Sequence, residues 1–449
     1  MKIALIGAGS AQFGLGMLGD IFQCPALRGS EVALHDIKAE ALALVASTAR
    51  RFAGEKGLPF TISATTERAE ALRSTDFCII AIEVGDRFRL WEQDWRIPQQ
   101  YGLRQVYGEN GGPGGLFHAL RIIPPILEIC TDILHFCPQA YVFNYSNPMT
   151  RICTAVRRKH PELRFFGLCH EVDSLGAHLP SMLETPLSTL QYRAGGLNHF
   201  GVLLSVRYRD SGRDAYPDVR ARAASYFQSM PEFRARMGYI ERTGRIPEGA
   251  DAEELRARAR AWGERGLFRV LLETYGYLPV TTDSHLGEYL AWAHEVVDHW
   301  GILDFYAAYK EHCQRAEKPG IHSGGYHERV VPIVQALLQG GGYEDPGVNV
   351  MNEGLIRNLP GDIVVEVPAG VNPEGIHPVA LGGLPRGFAG LLATQAGVID
   401  LSAEAALQGS RELALQALLA DPVVDSFWAA RQTLETMLGL QKEYLGYLK

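Results

Sequence analysis

"KIALIGAGS", residues 2–10, sets the fold. Lys2 to Ile6 read as a short buried strand, Gly7-x-Gly9 as a tight turn, and the amphipathic stretch that follows as a helix, which is how a βαβ unit begins. Glycines at such a turn let backbone amides at the helix start come close to a pyrophosphate. The third glycine of the usual fingerprint would fall at position 12, where Gln12 stands, so the motif is broken. Its context restores the reading. The second strand, "EVALHDI" (31–37), ends near Asp36, an acid suited to a ribose hydroxyl and unsuited to an extra phosphate on that ribose. Gly7, Gly9, Ser10 and Asp36 are therefore predicted to hold NAD.

Strand and helix signals go on alternating through "DFCIIAIEVG" (76–85), a proline- and glycine-rich loop, an apolar helix around 116–136 and "AYVFNYSNP" (140–148). This alternation predicts an α/β fold with a Rossmann-type, doubly wound parallel sheet over residues 1–195. From there on the pattern changes. Residues 207–266 are rich in Arg, Asp and Glu, and "RIPEGADAEELRARARAWGERG" (245–266) reads as a solvated helix with opposite charges at helical spacing. Helical runs near 286–315 and 326–339, a strand-like "GDIVVEVPAGV" (361–371) and terminal helices from about 388 complete a second, α+β domain over 196–449. A dinucleotide half followed by "NP" suits the lactate/malate dehydrogenase-like superfamily. No internal repeat is present.

The bulk numbers exclude several classes of function. At 449 residues and 47% hydrophobic the chain can bury a large core, and its net charge of −8 offers no overall basic field for nucleic acid or an anionic membrane. No run approaches the eighteen apolar residues of a membrane span, and the N-terminus lacks the pattern of a signal peptide. Seven scattered cysteines with no CxxC pair predict a reducing, cytoplasmic setting.

Two short segments carry chemistry. "FFGLCHEV" (165–172) places Cys169 before His170 and Glu171 at the end of an apolar run, and "GGLNHF" (195–200) presents His199 after a glycine turn. Thiolate and imidazole together select transition metals over magnesium or calcium. Two such ligands are too few for a closed structural site, so a metal held there keeps positions open for a substrate.

In order along the chain, "GAGS", "GENGGPGGLFHALR" (108–121), "NYSNP" (144–148), "GLCHEV" (167–172), "GLNHF" (196–200) and "VVEVP" (364–368) resemble glycoside hydrolase family 4. That family departs from the two-carboxylate glycosidases in using NAD. The resemblance implies that Cys169 and His199 bind a divalent transition metal, usually manganese; that Asn147 contacts the sugar; and that His170 is the general acid. It also implies transient oxidation at carbon 3, proton abstraction at carbon 2 and elimination of the leaving group. Within "TYGYLPVTTDSHLGEY" (274–289), Asp283 is the favoured base and Tyr289 the runner-up. Asn144 is assigned to the cofactor and His285 to the substrate. Family members are commonly dimers or tetramers.

Members acting on 6-phosphorylated sugars carry "RExDExIP", whose arginine meets the phosphate. Here "WEQDWRIP" (91–98) puts Trp91 in its place, which argues against a phosphorylated substrate. "CHE" and "TTDSHLGEY" look most like the α-galacturonidase branch, with α-galactosidases and α-glucosidases close behind. A uronate needs a local cation, for which Arg87, Arg89 and Arg151 are candidates. The rival readings are a metal-free dehydrogenase of the lactate or malate type and a nucleotide-binding regulatory protein without turnover. The Cys169 and His199 motifs argue against both.

Overall fold

The computed structural model describes residues 1–9, 13–229, 265–314, 321 and 328–449. Ser10 lies outside these, as do residues 230–264 of the charged stretch.

The first four strands are β1 (Lys2–Ile6), β2 (Glu31–His35), β3 (Thr61–Thr65) and β4 (Phe77–Ile80), and β5 (Tyr141–Asn144) and β6 (Arg164–Leu168) follow. They pair in parallel in the order β3-β2-β1-β4-β5-β6. The order reverses at β1, so the chain leaves neighbouring strands in opposite directions and opens a crevice at their carboxyl ends. Side chains alternate across this sheet. Ile3 and Leu5 join one buried cluster with the helices Phe13–Gln23 and Ala39–Glu55, whereas Ala4 and Ile6 join another with Gly112–Phe136 and Met149–Lys159. Burial on both faces accounts for the near-continuous apolar strands.

The sheet continues beyond β6 in antiparallel fashion. Strands β7 (Leu190–Leu197), β8 (Phe200–Tyr208), β9 (Tyr343–Met351), β10 (Val364–Asn372) and β11 (Gly375–Pro378) extend it as β6-β9-β10-β7-β8, with β11 on the side of β10. Residue 195 falls inside β7, and the join between β10 and β7 is the single pair Glu366 and Gly196. The C-terminal helices fold back onto the first half. Arg158 meets Asp400 and Glu404, and the Tyr447 hydroxyl donates to the carbonyl of Leu120. The architecture is a Rossmann-like parallel sheet with a second α+β part built on its edge.

Candidate active site

Gly7, Gly9, Asp36, Asn144, Asn147 and Cys169 lie at or just beyond the carboxyl ends of the parallel strands β1, β2, β5 and β6. Gly7 follows β1 with φ +90°, and a Cβ there would lie 2.1 Å from the carbonyl oxygen of Ala81, so only glycine fits between β1 and the loop after β4. The amide of Gly9 donates to Oδ2 of Asp36 at 2.8 Å, which draws the glycine turn and the end of β2 together. The missing glycine at position 12 has a substitute two residues on: a Cβ on Gly14 would come within 2.5 Å of the Ala8 carbonyl, so the close contact of helix and turn is made there.

Asn144 turns inward. Its side chain donates to the Ser146 carbonyl and accepts from the Ser146 amide, closing the loop before the cis Asn147–Pro148 bond. A cofactor at this loop would meet its backbone rather than that side chain. Asn147 is different, because its Oδ1 is buried without a hydrogen-bond partner and is free to accept from a ligand hydroxyl.

Cys169 and His199 meet. Thirty residues apart in sequence, they place Sγ and Nε2 3.2 Å apart, with only 6% and 3% of the two residues exposed. Cys169 directly follows β6, and His199 occupies the two-residue turn between β7 and β8 at φ +60°, a conformation that β-carbon residues seldom adopt and that is found at functional sites. Glu366 fixes that turn. Its Oε1 accepts from the amides of Asn198 at 3.0 Å and Asn349 at 2.9 Å, tying His199's neighbour to β9 and β10.

The electrostatics suit a cation. Burial pushes the Cys169 thiol well up, and the carboxylates of Glu366 and Glu171 push it the same way, so the sulfur ionises only beside a positive charge. Burial and the neighbouring His285 hold His199 well below its ordinary value, leaving the neutral imidazole that ligates metals. Its Nδ1 is buried and unpartnered. Sγ of Cys169 and Nε2 of His199 are the two atoms that would hold a transition-metal ion here. Among the described residues no three His, Cys, Asp or Glu side chains form a group that could hold a metal ion.

His285 stacks on His199 with ring centroids 4.5 Å apart, and its Nδ1 lies 3.8 Å from Glu109, so it belongs to the same cluster. Glu171, although buried, is held down to about 2 by His170, His285 and His199. The His170 side chain is 70% exposed on the rim, 3.6 Å from Glu171. Asp283 is wholly buried, and both of its oxygens accept from the Leu267 amide at 2.9 and 3.1 Å. The carboxylate thus faces the start of the helix Gly266–Tyr275, and burial raises it to about 7. Tyr289 stacks on Phe200, and burial pushes its hydroxyl well up, the wrong direction for a base at neutral pH.

Of the three arginines, Arg87 is engaged by Glu109 and Glu83, Arg89 is exposed, and Arg151 is buried with Nη2 unpaired. Arg151 lines a small cavity with Asn110, Asn198 and Tyr289. Trp91 is 4% exposed and packs edge-on against Tyr107 and Tyr306. The sequence reading gave no role to Glu366, Glu109, Asn198 or Asn349. A charge within the apolar run "VVEVP" was the available signal for Glu366.

A family model described as family 4 glycosyl hydrolase matches residues 2–185, and one for the C-terminal domain of the same family matches residues 194–424. An α-glucosidase of Erwinia rhapontici is 52% identical over 100% of this chain and 99% of its own. An α-galacturonidase of Bacillus subtilis is 29% identical over 94% of this chain and 93% of its own. The crystal structure of a 6-phospho-α-glucosidase from gut microorganisms, in complex with NAD and Mn2+, superposes with a TM-score of 0.75 at 23% identity, covering 98% of each chain.

Proposed function

The chain belongs to glycosyl hydrolase family 4, and from that membership we propose that it cleaves α-glucosides with NAD and a divalent transition metal, manganese foremost. The observation that carries this reading is the buried contact of Cys169 Sγ with His199 Nε2, at the same sheet edge that holds the Gly7–Gly9 turn and Asp36. When bound, the nucleotide supplies a reversible hydride acceptor and the metal a Lewis acid, so that oxidation at carbon 3 acidifies the proton on carbon 2.

The protein's own groups do the rest. Asp36 accepts from the Gly9 amide and is placed to take a ribose hydroxyl. The unpartnered Asn147 Oδ1 orients a sugar hydroxyl. Asp283 is the base for the carbon-2 proton: near neutrality it has the affinity such a base needs, and it stands two residues from His285 in the metal cluster. Tyr289 is the alternative. His170, on the rim, gives a proton to the leaving oxygen.

The substrate assignment rests on the α-glucosidase relative at 52% identity; the α-galacturonidase branch, favoured by "CHE" and "TTDSHLGEY", stands at 29%. One observation favours the uronide as a second reading: the unpaired Nη2 of buried Arg151, four residues from Asn147, is suited to a carboxylate. The buried Trp91 supports an unphosphorylated sugar under either reading. The seven free cysteines are in keeping with a cytoplasmic enzyme, and no described helix is long and apolar enough to cross a membrane. Homo-oligomerisation as a dimer or tetramer belongs to the same proposal, as does a division near residue 195 into an NAD-binding domain and a C-terminal substrate/metal and oligomerisation domain.

The test is a panel of nitrophenyl α-glucoside, α-galactoside, α-galacturonide and α-glucuronide, with NAD and manganese omitted in turn. Highest kcat/KM on the α-glucoside, lost without either addition, is expected. Preference for the galacturonide would install the second reading, and turnover without NAD would defeat both.

A further inference from the structure

The antiparallel ladder between β6 and β9 is short. It pairs Gly167 with Asn349 and Leu168 with Val348, and stops. The next rung would join Cys169 to Gly347, and an arginine occupies its place. Arg329 Nη2 donates to the Cys169 carbonyl at 2.5 Å, and Nη1 donates to the Gly347 carbonyl at 3.0 Å. The guanidinium is itself fixed on its remaining sides. Nε pairs with Asp173 at 2.9 Å, and Nη1 also meets Asp345, whose carboxylate accepts from the Gly347 amide. Arg329 is 8% exposed.

We propose that Arg329 is a positioning residue for the metal site: by standing in for the missing rung it sets the backbone at Cys169 so that Sγ faces His199. The inference rests on the proposed reading of Cys169 and His199 as metal ligands. A planar fork with five N–H donors can serve two carbonyls and two carboxylates at once, and lysine cannot. An ordinary rung would have bonded the Cys169 backbone to β9 itself; the arginine holds the two strand ends through a side chain instead. Groups that orient a metal ligand typically contribute tenfold to a hundredfold in metal affinity.

The experiment titrates manganese(II) into protein saturated with NAD and reads free aqueous manganese by electron paramagnetic resonance. Arg329→Lys keeps the charge and loses the fork. It is expected to raise the manganese Kd about tenfold or more, with NAD affinity within twofold of wild type and an unchanged far-UV circular dichroism spectrum. A folded Arg329→Lys protein with wild-type manganese affinity would overturn the proposal. Should that variant fail to fold, Arg329→Met combined with Asp345→Asn removes the fork and its buried counter-charge together, and the same two outcomes apply. Cys169→Ser in the same titration separates the two readings. If it leaves manganese affinity unchanged, the ligand assignment fails and the role of Arg329 fails with it; if it abolishes binding while the Arg329 variants bind normally, only the role of Arg329 is lost.

Discussion

Cys169 Sγ and His199 Nε2 lie 3.2 Å apart, brought together by the end of a parallel strand and the turn of an antiparallel hairpin. Neither element alone makes a site. Because the sulfur and the imidazole are both held in the less charged state by burial, they are poised for a cation that compensates both. Cys169→Ser and His199→Ala are each expected to lower manganese-supported kcat/KM about a hundredfold or more, equivalent to roughly 2.7 kcal/mol. NAD binding, followed by fluorescence, is expected to stay within twofold. Activity retained in either variant would remove that residue from the site.

The nucleotide crevice depends on Gly7. An alanine there would meet the Ala81 carbonyl and would have to keep φ near +90°, so it must either distort β1 or push the loop after β4 away. Gly7→Ala is expected to cost about 2 kcal/mol in stability and to weaken NAD binding about tenfold or more. Chemical denaturation and nucleotide titration measure the two effects separately.

Asp36 holds the Gly9 amide, and we propose that it also meets the ribose. Asp36→Ala is expected to raise the NAD Kd by about one order of magnitude, the value of one or two lost hydrogen bonds. Asp36→Asn keeps the acceptor for Gly9 and is expected to lie between. Equal NAD affinity in all three proteins, by calorimetry, would show that the ribose lies elsewhere.

Asp283 links stability to pH. Burial raises its carboxyl to about 7 in the folded chain, well above its value of ~4 when unfolded. The neutral form therefore favours folding: the stabilisation is complete below about pH 4 and is lost as the pH rises through 7. Glu288, raised to about 8 chiefly by burial, acts in the same direction. The Tm of the wild type is expected to fall between pH 5 and 8, and Asp283→Asn to flatten part of that fall. An unaltered slope in the variant would mean that the carboxyl is ionised throughout.

The glycine crevice and the meeting of Cys169 with His199 were legible in the sequence for different reasons. Gly7, Gly9 and Asp36 belong to one local βαβ unit, whose spacing alone puts them together. Cys169 and His199 were legible only through the order of motifs, since their meeting depends on β9 and β10 being inserted between β6 and β7 in the sheet. That insertion joins segments far apart in the chain, and no local periodicity encodes it. The same holds for Arg329, which reaches Cys169 across 160 residues, and for Glu366, which reaches Asn198 across 168. The fingerprint position occupied by Gln12 shows the opposite limit: in the sequence the motif reads only as broken there, and the close approach of helix to turn is made at Gly14. Asp283 is proposed as the base from its place in the motif, whereas the hold of the Leu267 amide on its oxygens is a contact set by how the helix Gly266–Tyr275 packs, which no local pattern encodes.

Hydrolysis of an aryl α-glucoside in D2O, with NAD and manganese present, tests the central claim most directly, because only a route through an acidified carbon 2 exchanges that hydrogen. The released glucose is expected to carry one deuterium at carbon 2 by mass spectrometry and proton NMR, and Asp283→Ala to give neither product nor exchange. Glucose released at the same rate with protium retained at carbon 2 would contradict the account.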